Sequence, residues 1–249
     1  MKLENDATKN LARPAVVIAS VRSGGTYLAH CLSNHPQVFC DRGESLHHSS
    51  VWHRHLQTGN GQLLYCLLHM QGYHVSMCKL VYSQAFVGQA WKYLKKHKPP
   101  VIWLRRENVV RQSVSLLINR AARGGKIRRP QHTFKDTGPL TIGLSADAIL
   151  KQARGLRQRD ARTSRLLANF PRVLKLTYAD ITDSKKPGKV PVSATRKIVE
   201  FLGVRYEPLR CDLVRVNPQP LSELIRDWPT VRDKIRDSEF AVYLEDHDG

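Results

Sequence analysis

Ala15-Val-Val-Ile-Ala-Ser-Val-Arg-Ser-Gly-Gly-Thr-Tyr-Leu28 decides the fold. Its first half, Ala15–Ser20, is a short apolar run rich in β-branched residues, the pattern of a strand buried on both faces. Its second half opens a helix. Tyr27, Leu28, Cys31 and Leu32 recur at helical spacing until Asn34-His-Pro36 stops it. Between them, Gly24 and Gly25 allow a tight turn and a close backbone approach to a ligand. A strand, a glycine turn and a helix N-terminus in succession make an anion site, because the helix start carries unpaired N–H donors and about half a positive charge. Ser23 and Thr26 add hydroxyls, and Arg22 adds a permanent charge with a fork suited to phosphate. The turn is not a nucleotide-triphosphate loop, which ends in Lys followed by Ser or Thr, and it is not GxGxxG.

Outward from this segment the chain alternates. Val38–Cys40, Val75–Val81, Val101–Leu104 and Val173–Ile181 read as further strands. Ala85–Lys96, Val109–Ala121, a helix capped by Ser145 and running to about Asn169, Ser193–Leu202 and Leu221–Ile225 read as helices, and Gly61–Met70 has helical character. Alternation of this kind predicts an α/β fold: a parallel sheet flanked by helices, with a P-loop-like phosphate-binding loop after the first strand. The 249 residues suit a single domain, with a basic lid at Arg123–Leu144 and a C-terminal extension from about Val204. Ligands in such sheets bind at the carboxyl ends of the strands.

Forty Lys and Arg against 21 Asp and Glu give a formal charge of +19, which favours phosphates, sulfates, nucleic acid or an anionic membrane as partners. Hydrophobic residues make up 41% of the chain, too many for a disordered protein. The five cysteines form no CxxC pair and sit mostly among apolar neighbours, as reduced thiols do. The polar start lacks a signal-peptide core, and no apolar run is long enough to span a membrane. A cytoplasmic protein is expected, with peripheral membrane contact open through the basic surface.

A second strand end repeats the logic of the first. In Val101-Ile-Trp-Leu-Arg-Arg-Glu-Asn108 a cation closes a buried strand, and Ser113 follows eight residues after Arg105 on the next helix. Chain geometry lets such a pair meet one phosphate; Arg106 is a weaker candidate. After Val38–Cys40, a strand expected beside the first, comes Asp-Arg-Gly-Glu44, and then a His-rich stretch with His47, His48, His53 and His55. That stretch has no HExxH spacing, so no metal site is expected. Lys79, near the end of the third strand, reads either as an anion contact or as a surface lysine.

Arg22-Ser-Gly-Gly-Thr-Tyr-Leu28 and the following Leu32-Ser-Asn-His-Pro36 resemble the 5′-phosphosulfate loop of PAPS-dependent sulfotransferases, PxSGTTxL, in the form found in bacterial carbohydrate and metabolite enzymes. Val21 stands for the usual Pro and Gly25 for a usual Thr. Arg105 and Ser113 match the 3′-phosphate motif, and Lys175-Leu-Thr-Tyr-Ala-Asp180 is similar to a strand end in which Tyr178 supports the fold. The resemblance implies PAPS as donor and PAP as product, with no metal. It implies 5′-phosphosulfate contacts from Arg22, Ser23, Gly24, Gly25, Thr26 and Tyr27, and Glu44 as base with His47 or His48 as the alternative. The acceptor it implies is a hydroxyl or amine of a carbohydrate, a lipid-linked sugar or a small metabolite. The glycine-rich nucleotide loop of animal enzymes is absent, so adenine contacts fall to the basic lid or to Arg226–Arg236.

Two other readings compete. A nucleotide or metabolite kinase would use the same sheet, but the Lys-Ser/Thr after the glycines is missing. A nucleic-acid-binding protein would use Arg120–Arg129 and Lys151–Arg165, but aromatics are not interleaved with these basic residues. A charged helix face is the commoner explanation of such residues.

Overall fold

The computed structural model describes residues 12–41, 70–86, 88–125, 138–183 and 186–244. The chain divides into two compact units, Met1–Arg105 with Ser164–Cys211, and Arg106–Thr163 with Asp212–Gly249.

The first unit holds a five-stranded sheet of β1 (Arg13–Ala19), β2 (Val38–Asp41), β3 (Val75–Val81), β4 (Val101–Arg105) and β5 (Val173–Thr177). Its order is β2-β3-β1-β4-β5, and every pairing is parallel. The register aligns Ala19 with Val81 on one side and with Leu104 on the other, so β1, β3 and β4 end at one level. Val16, Val17 and Ile18 are wholly buried. A strand covered on both faces needs apolar side chains on both, hence the continuous run in place of alternation.

Helices supply that cover. The helix α1 (Gly25–Ser33) follows β1 and starts beside Ala19. After β3 come the short α2 (Tyr82–Ala85) and then α3 (Gly88–His97), which buries Ala90, Tyr93 and Leu94. These pack with Val16, Ile18, Leu80, Trp103 and Phe170 in one core. Alternate residues of β1 point to opposite faces, so Ile18 meets the α3 layer while Ala19 meets α1. Trp103 Nε1 donates to the Tyr82 hydroxyl at 2.8 Å, which gives the buried indole N–H its acceptor.

The second unit contains α4 (Val109–Arg123) and most of α5 (Ala146–Leu167). Asn108 caps α4 by accepting from Arg111 N at 2.8 Å, and its amide nitrogen donates to the Tyr243 carbonyl at 3.2 Å. Ser145 Oγ accepts from Ala148 N at 3.2 Å and caps α5, as its place in the sequence predicts. Arg111 donates to the carbonyls of Asn217 and Gln219.

Four sequence expectations are revised. The strand Val38–Asp41 is not beside the first, because β3 lies between them. The four-residue β2 takes the edge, while the seven-residue β3, buried along nearly its whole length, takes the interior. The segment Val173–Ile181 is not one strand. β5 stops at Thr177, whose hydroxyl accepts from Asp180 N at 3.2 Å while its own N–H donates to Asp180 Oδ2 at 2.7 Å. This reciprocal cap starts the single turn α6 (Tyr178–Ile181). The helix expected over Ala85–Lys96 is α3, which starts later, at Gly88, and the single turn α2 precedes it. Helix α7 (Val192–Leu202) ends at Gly203, with φ of 63°, as expected. The expected helix at Leu221–Ile225 is only the turn α8 (Leu221–Leu224), and α9 (Trp228–Arg236) follows it unforeseen, with Val231 and Ile235 buried one turn apart. Among the described residues no helix is long and apolar enough to cross a membrane.

Candidate functional site

The chain leaves β1 at Ala19 and enters α1 at Gly25, and the loop between is held at three points. Ser20 N donates to the Leu104 carbonyl at 3.1 Å, tying the loop to the end of β4. Ser23 N and Ser23 Oγ both donate to the Ser20 carbonyl, at 3.3 and 2.7 Å, closing the turn on itself. The side chain of Tyr178 lies under Gly24, where a Cβ would come within 2.9 Å of the ring. Gly24 has φ of 86°, and Arg22 has φ of 60°. A left-handed conformation is natural for Gly24 and costly for Arg22, on the order of 1–2 kcal/mol. Gly25 is required for space, since a Cβ there would stand 2.8 Å from the Ala19 methyl.

This geometry sets the loop's electrostatics. Helix α1 has no side-chain cap and no acidic residue in its first turn. Gly25, Thr26 and Tyr27 therefore contribute amides that the helix itself leaves without acceptors. Lys79 enters the same place from β3. Its stem passes Gly25, with Cδ 3.3 Å from where a Cβ would sit, and its Nζ donates to Thr26 Oγ1 at 3.2 Å. Lys79 is only 4% exposed, so it is not a surface lysine. A buried ammonium beside the positive end of a helix, with Arg22 in the same loop, gathers positive charge of the kind that suits an anion. The Thr26 oxygen accepts from Lys79, leaving the Thr26 O–H able to donate.

The loop side chains are not used alike. The hydroxyl of Ser23 is wholly buried and spent on Ser20, so it braces the turn. The phenol of Tyr27 is pushed above its ordinary range, first by burial and then by the neighbouring Cys31 and Cys211, and stays protonated. The Tyr27 backbone carbonyl is 3.8 Å from Cys211 Sγ.

At the end of β4, Arg105 is half-buried and lies across the Trp103 ring, with Cζ 5.9 Å from its centroid. Arg106, next in sequence, is 6% exposed. Ser113 belongs to the second unit, where it is buried and donates to the Val109 carbonyl at 2.7 Å. Glu44, His47, His48, His53 and His55 lie outside the described residues, as does most of the segment read as a lid. Among the described residues no three His, Cys, Asp or Glu side chains gather as a metal site.

Two features of the loop were not readable from sequence. The burial of Lys79 follows from the position of β3 next to β1, which no local pattern announces. The approach of Cys211 to α1 joins residues 180 apart.

No protein-family model matches the chain, and no curated protein matches it. Solved structures do. The sulfotransferase from Alicyclobacillus acidocaldarius is similar over 94% of this chain and 95% of its own, with a TM-score of 0.58 at 15% identity. The sulfotransferase domain of the curacin biosynthetic pathway aligns with 80% of this chain and 76% of its own, at a TM-score of 0.48 and 13% identity. The sulfotransferase domain of the Synechococcus PCC 7002 olefin synthase aligns with 80% and 75%, at 0.42 and 15%. With its parallel sheet flanked by helices, the chain has a sulfotransferase-type fold.

Proposed function

We propose that the protein transfers a sulfuryl group from PAPS to a hydroxyl or amine acceptor and releases PAP. The observation that carries this reading is the buried Lys79 held against Thr26 at the start of α1, beside a loop that presents Arg22 and backbone amides. The donor fits this cradle. Its 5′-phosphosulfate is a compact anion, and the loop combines fixed N–H donors with two cations and no acid in the helix's first turn.

When bound, PAPS supplies a sulfuryl group on a phosphate leaving group. The chain's part is to position and to stabilise charge, as in phosphoryl transfer. Amides at Gly24, Gly25 and Thr26 and the Arg22 guanidinium hold the 5′-phosphate. Lys79 and the Thr26 hydroxyl face the oxygens on which charge grows as the bond to sulfur breaks. Arg105 and Ser113 are assigned the 3′-phosphate on their sequence spacing and on the family motif alone, and Ser113 would have to turn its hydroxyl from the Val109 carbonyl to donate to it. Glu44, or His47 or His48 in its place, takes the acceptor proton. The net charge of +19 supports an acceptor that is itself anionic, among carbohydrates, lipid-linked sugars and small metabolites.

Calorimetry with PAP and with AMP tests the donor assignment. PAP is expected to bind in the micromolar range and AMP much more weakly, since AMP lacks the second phosphate. Lys79→Met is expected to weaken PAP by about 2 kcal/mol, roughly 30-fold, the worth of a charge-assisted hydrogen bond. Absence of PAP binding, or equal affinity for AMP, contradicts the proposal.

A further inference from the structure

Cys31 and Cys211 are thiols whose sulfurs lie 3.4 Å apart, and both side chains are buried in the first unit. Cys31 sits on the helix that begins at the phosphate loop, one turn beyond Tyr27. Cys211 closes a strap that runs along this helix. Asn34 Nδ2 donates to the Arg210 carbonyl at 3.0 Å, Cys211 Sγ approaches the Tyr27 carbonyl at 3.8 Å, and Cys211 N donates to the Gly188 carbonyl at 2.9 Å. Val190 N donates to the Leu209 carbonyl at 2.9 Å, so the strap is itself fixed in place. The two sulfurs are thus held together from both sides without a bond between them.

We infer that Cys31 and Cys211 are a site of reversible oxidation, closing to a disulfide that ties the phosphate-loop helix to the Leu209–Cys211 strap. The oxidant is a hydroperoxide small enough to enter. Cys211, at 6% exposure, is reached before Cys31, which is fully buried. The Cys31 S–H points at the Cys211 sulfur, so it donates to a Cys211 thiolate. That thiolate attacks one peroxide oxygen, the O–O bond breaks, and Cys211 becomes a sulfenic acid as hydroxide leaves. Cys31 then attacks the Cys211 sulfur, loses its proton and expels water. In total, two thiols and one hydrogen peroxide give one disulfide and two waters, with one electron leaving each sulfur. Side-chain rotation brings the sulfurs from 3.4 Å to a bond of about 2 Å. The hydrogen bond to Cys211 and then burial push the Cys31 thiol up, so closure depends on Cys211 reacting first.

The remaining described cysteines provide an internal control. The thiol of Cys78 is also pushed up, by complete burial and by Asp41 and Cys40 nearby, and among the described residues no disulfide is present. It is expected to stay reduced under the same treatment.

The full-length protein is reduced, treated in native buffer with hydrogen peroxide, alkylated and digested without reductant. The expected product joins the Cys31 and Cys211 peptides and disappears with dithiothreitol. The melting temperature of the oxidised protein is expected to rise, because the bond removes unfolded-chain freedom across a separation of 180 residues. That rise is expected to vanish in Cys31→Ala and in Cys211→Ser. The inference is overturned if peroxide leaves both thiols alkylatable in the folded protein, if either pairs with a different cysteine, or if the bond forms only in denaturant. The mass readout uses the natural sequence and holds even if a variant fails to fold. It is independent of which ligand the loop takes.

Discussion

Arg22 and Lys79, the two cations that the proposed function assigns to the donor, each sit at a cost to stability. Arg22 holds φ of 60°, a conformation glycine would take without penalty. Arg22→Gly is therefore expected to leave the fold as stable or to stabilise it by up to about 1 kcal/mol, while weakening PAP. Chemical denaturation and calorimetry on the same variant check the two signs. A residue that merely shaped the turn would lose stability and binding together. Lys79 sits at 4% exposure beside a helix N-terminus, where an uncharged side chain of similar length would be easier to bury. At this scale the sequence announced the tight turn between strand and helix, because Gly24 and Gly25 sit between an apolar run and a helical pattern. It could not say which hydroxyl is spent inside the turn. Ser23 and Thr26 look equivalent on the page, yet Ser23 Oγ is turned back to the Ser20 carbonyl while Thr26 Oγ1 meets Lys79.

Elements were legible where a local pattern closes on itself. Ser145 announces its helix, Gly203 ends one, and β1, β3 and β4 are apolar runs bounded by polar or helix-stopping residues. The misreadings lie where a side chain overrides the pattern. Thr177-Tyr-Ala-Asp180 continues the apolar character of β5, but the reciprocal bonds of Thr177 and Asp180 turn the chain into α6. That turn places Tyr178 under Gly24, so the cap supports the Ser20–Thr26 loop from below. Thr177→Val is expected to lose about 1 kcal/mol of stability, measured by urea denaturation, and to weaken PAP through a loosened Tyr178. Unchanged stability would mean that the cap is dispensable.

In the second unit, Arg154 Nε meets Glu239 Oε1 at 2.7 Å, and this pair lowers the Glu239 carboxyl to about 2. A depressed carboxylate contributes stability above its unfolded value of 4.5 and loses it as pH falls through about 2. The pair lies on the surface, so the effect on unfolding is small. The direct reading is the Glu239 titration by NMR. It is expected to move back toward the ordinary carboxylate range in Arg154→Ala, and an unmoved titration would show that Arg154 is not its cause.

For the whole molecule, alternation of strands and helices gave the fold class, and the parallel sheet with helical cover confirms it. Strand order was less accessible. Placing β3 beside β1 depends on which strand buries more of its length once the crossovers close, a property of the assembled sheet. That same placement delivers Lys79 to the loop, so the part of the candidate site that sequence could not fix is the part created by topology. The division at Arg105 and Arg106 likewise follows from packing, and no composition change marks it. The central claim is that the Ser20–Thr26 loop receives the 5′-phosphate of a PAPS-type nucleotide. A crystal structure with PAP tests it most directly. The 5′-phosphate is expected on the amides of Gly24, Gly25 and Thr26, within hydrogen-bond reach of Lys79. A nucleotide bound elsewhere, with this loop taking no phosphate, would contradict it.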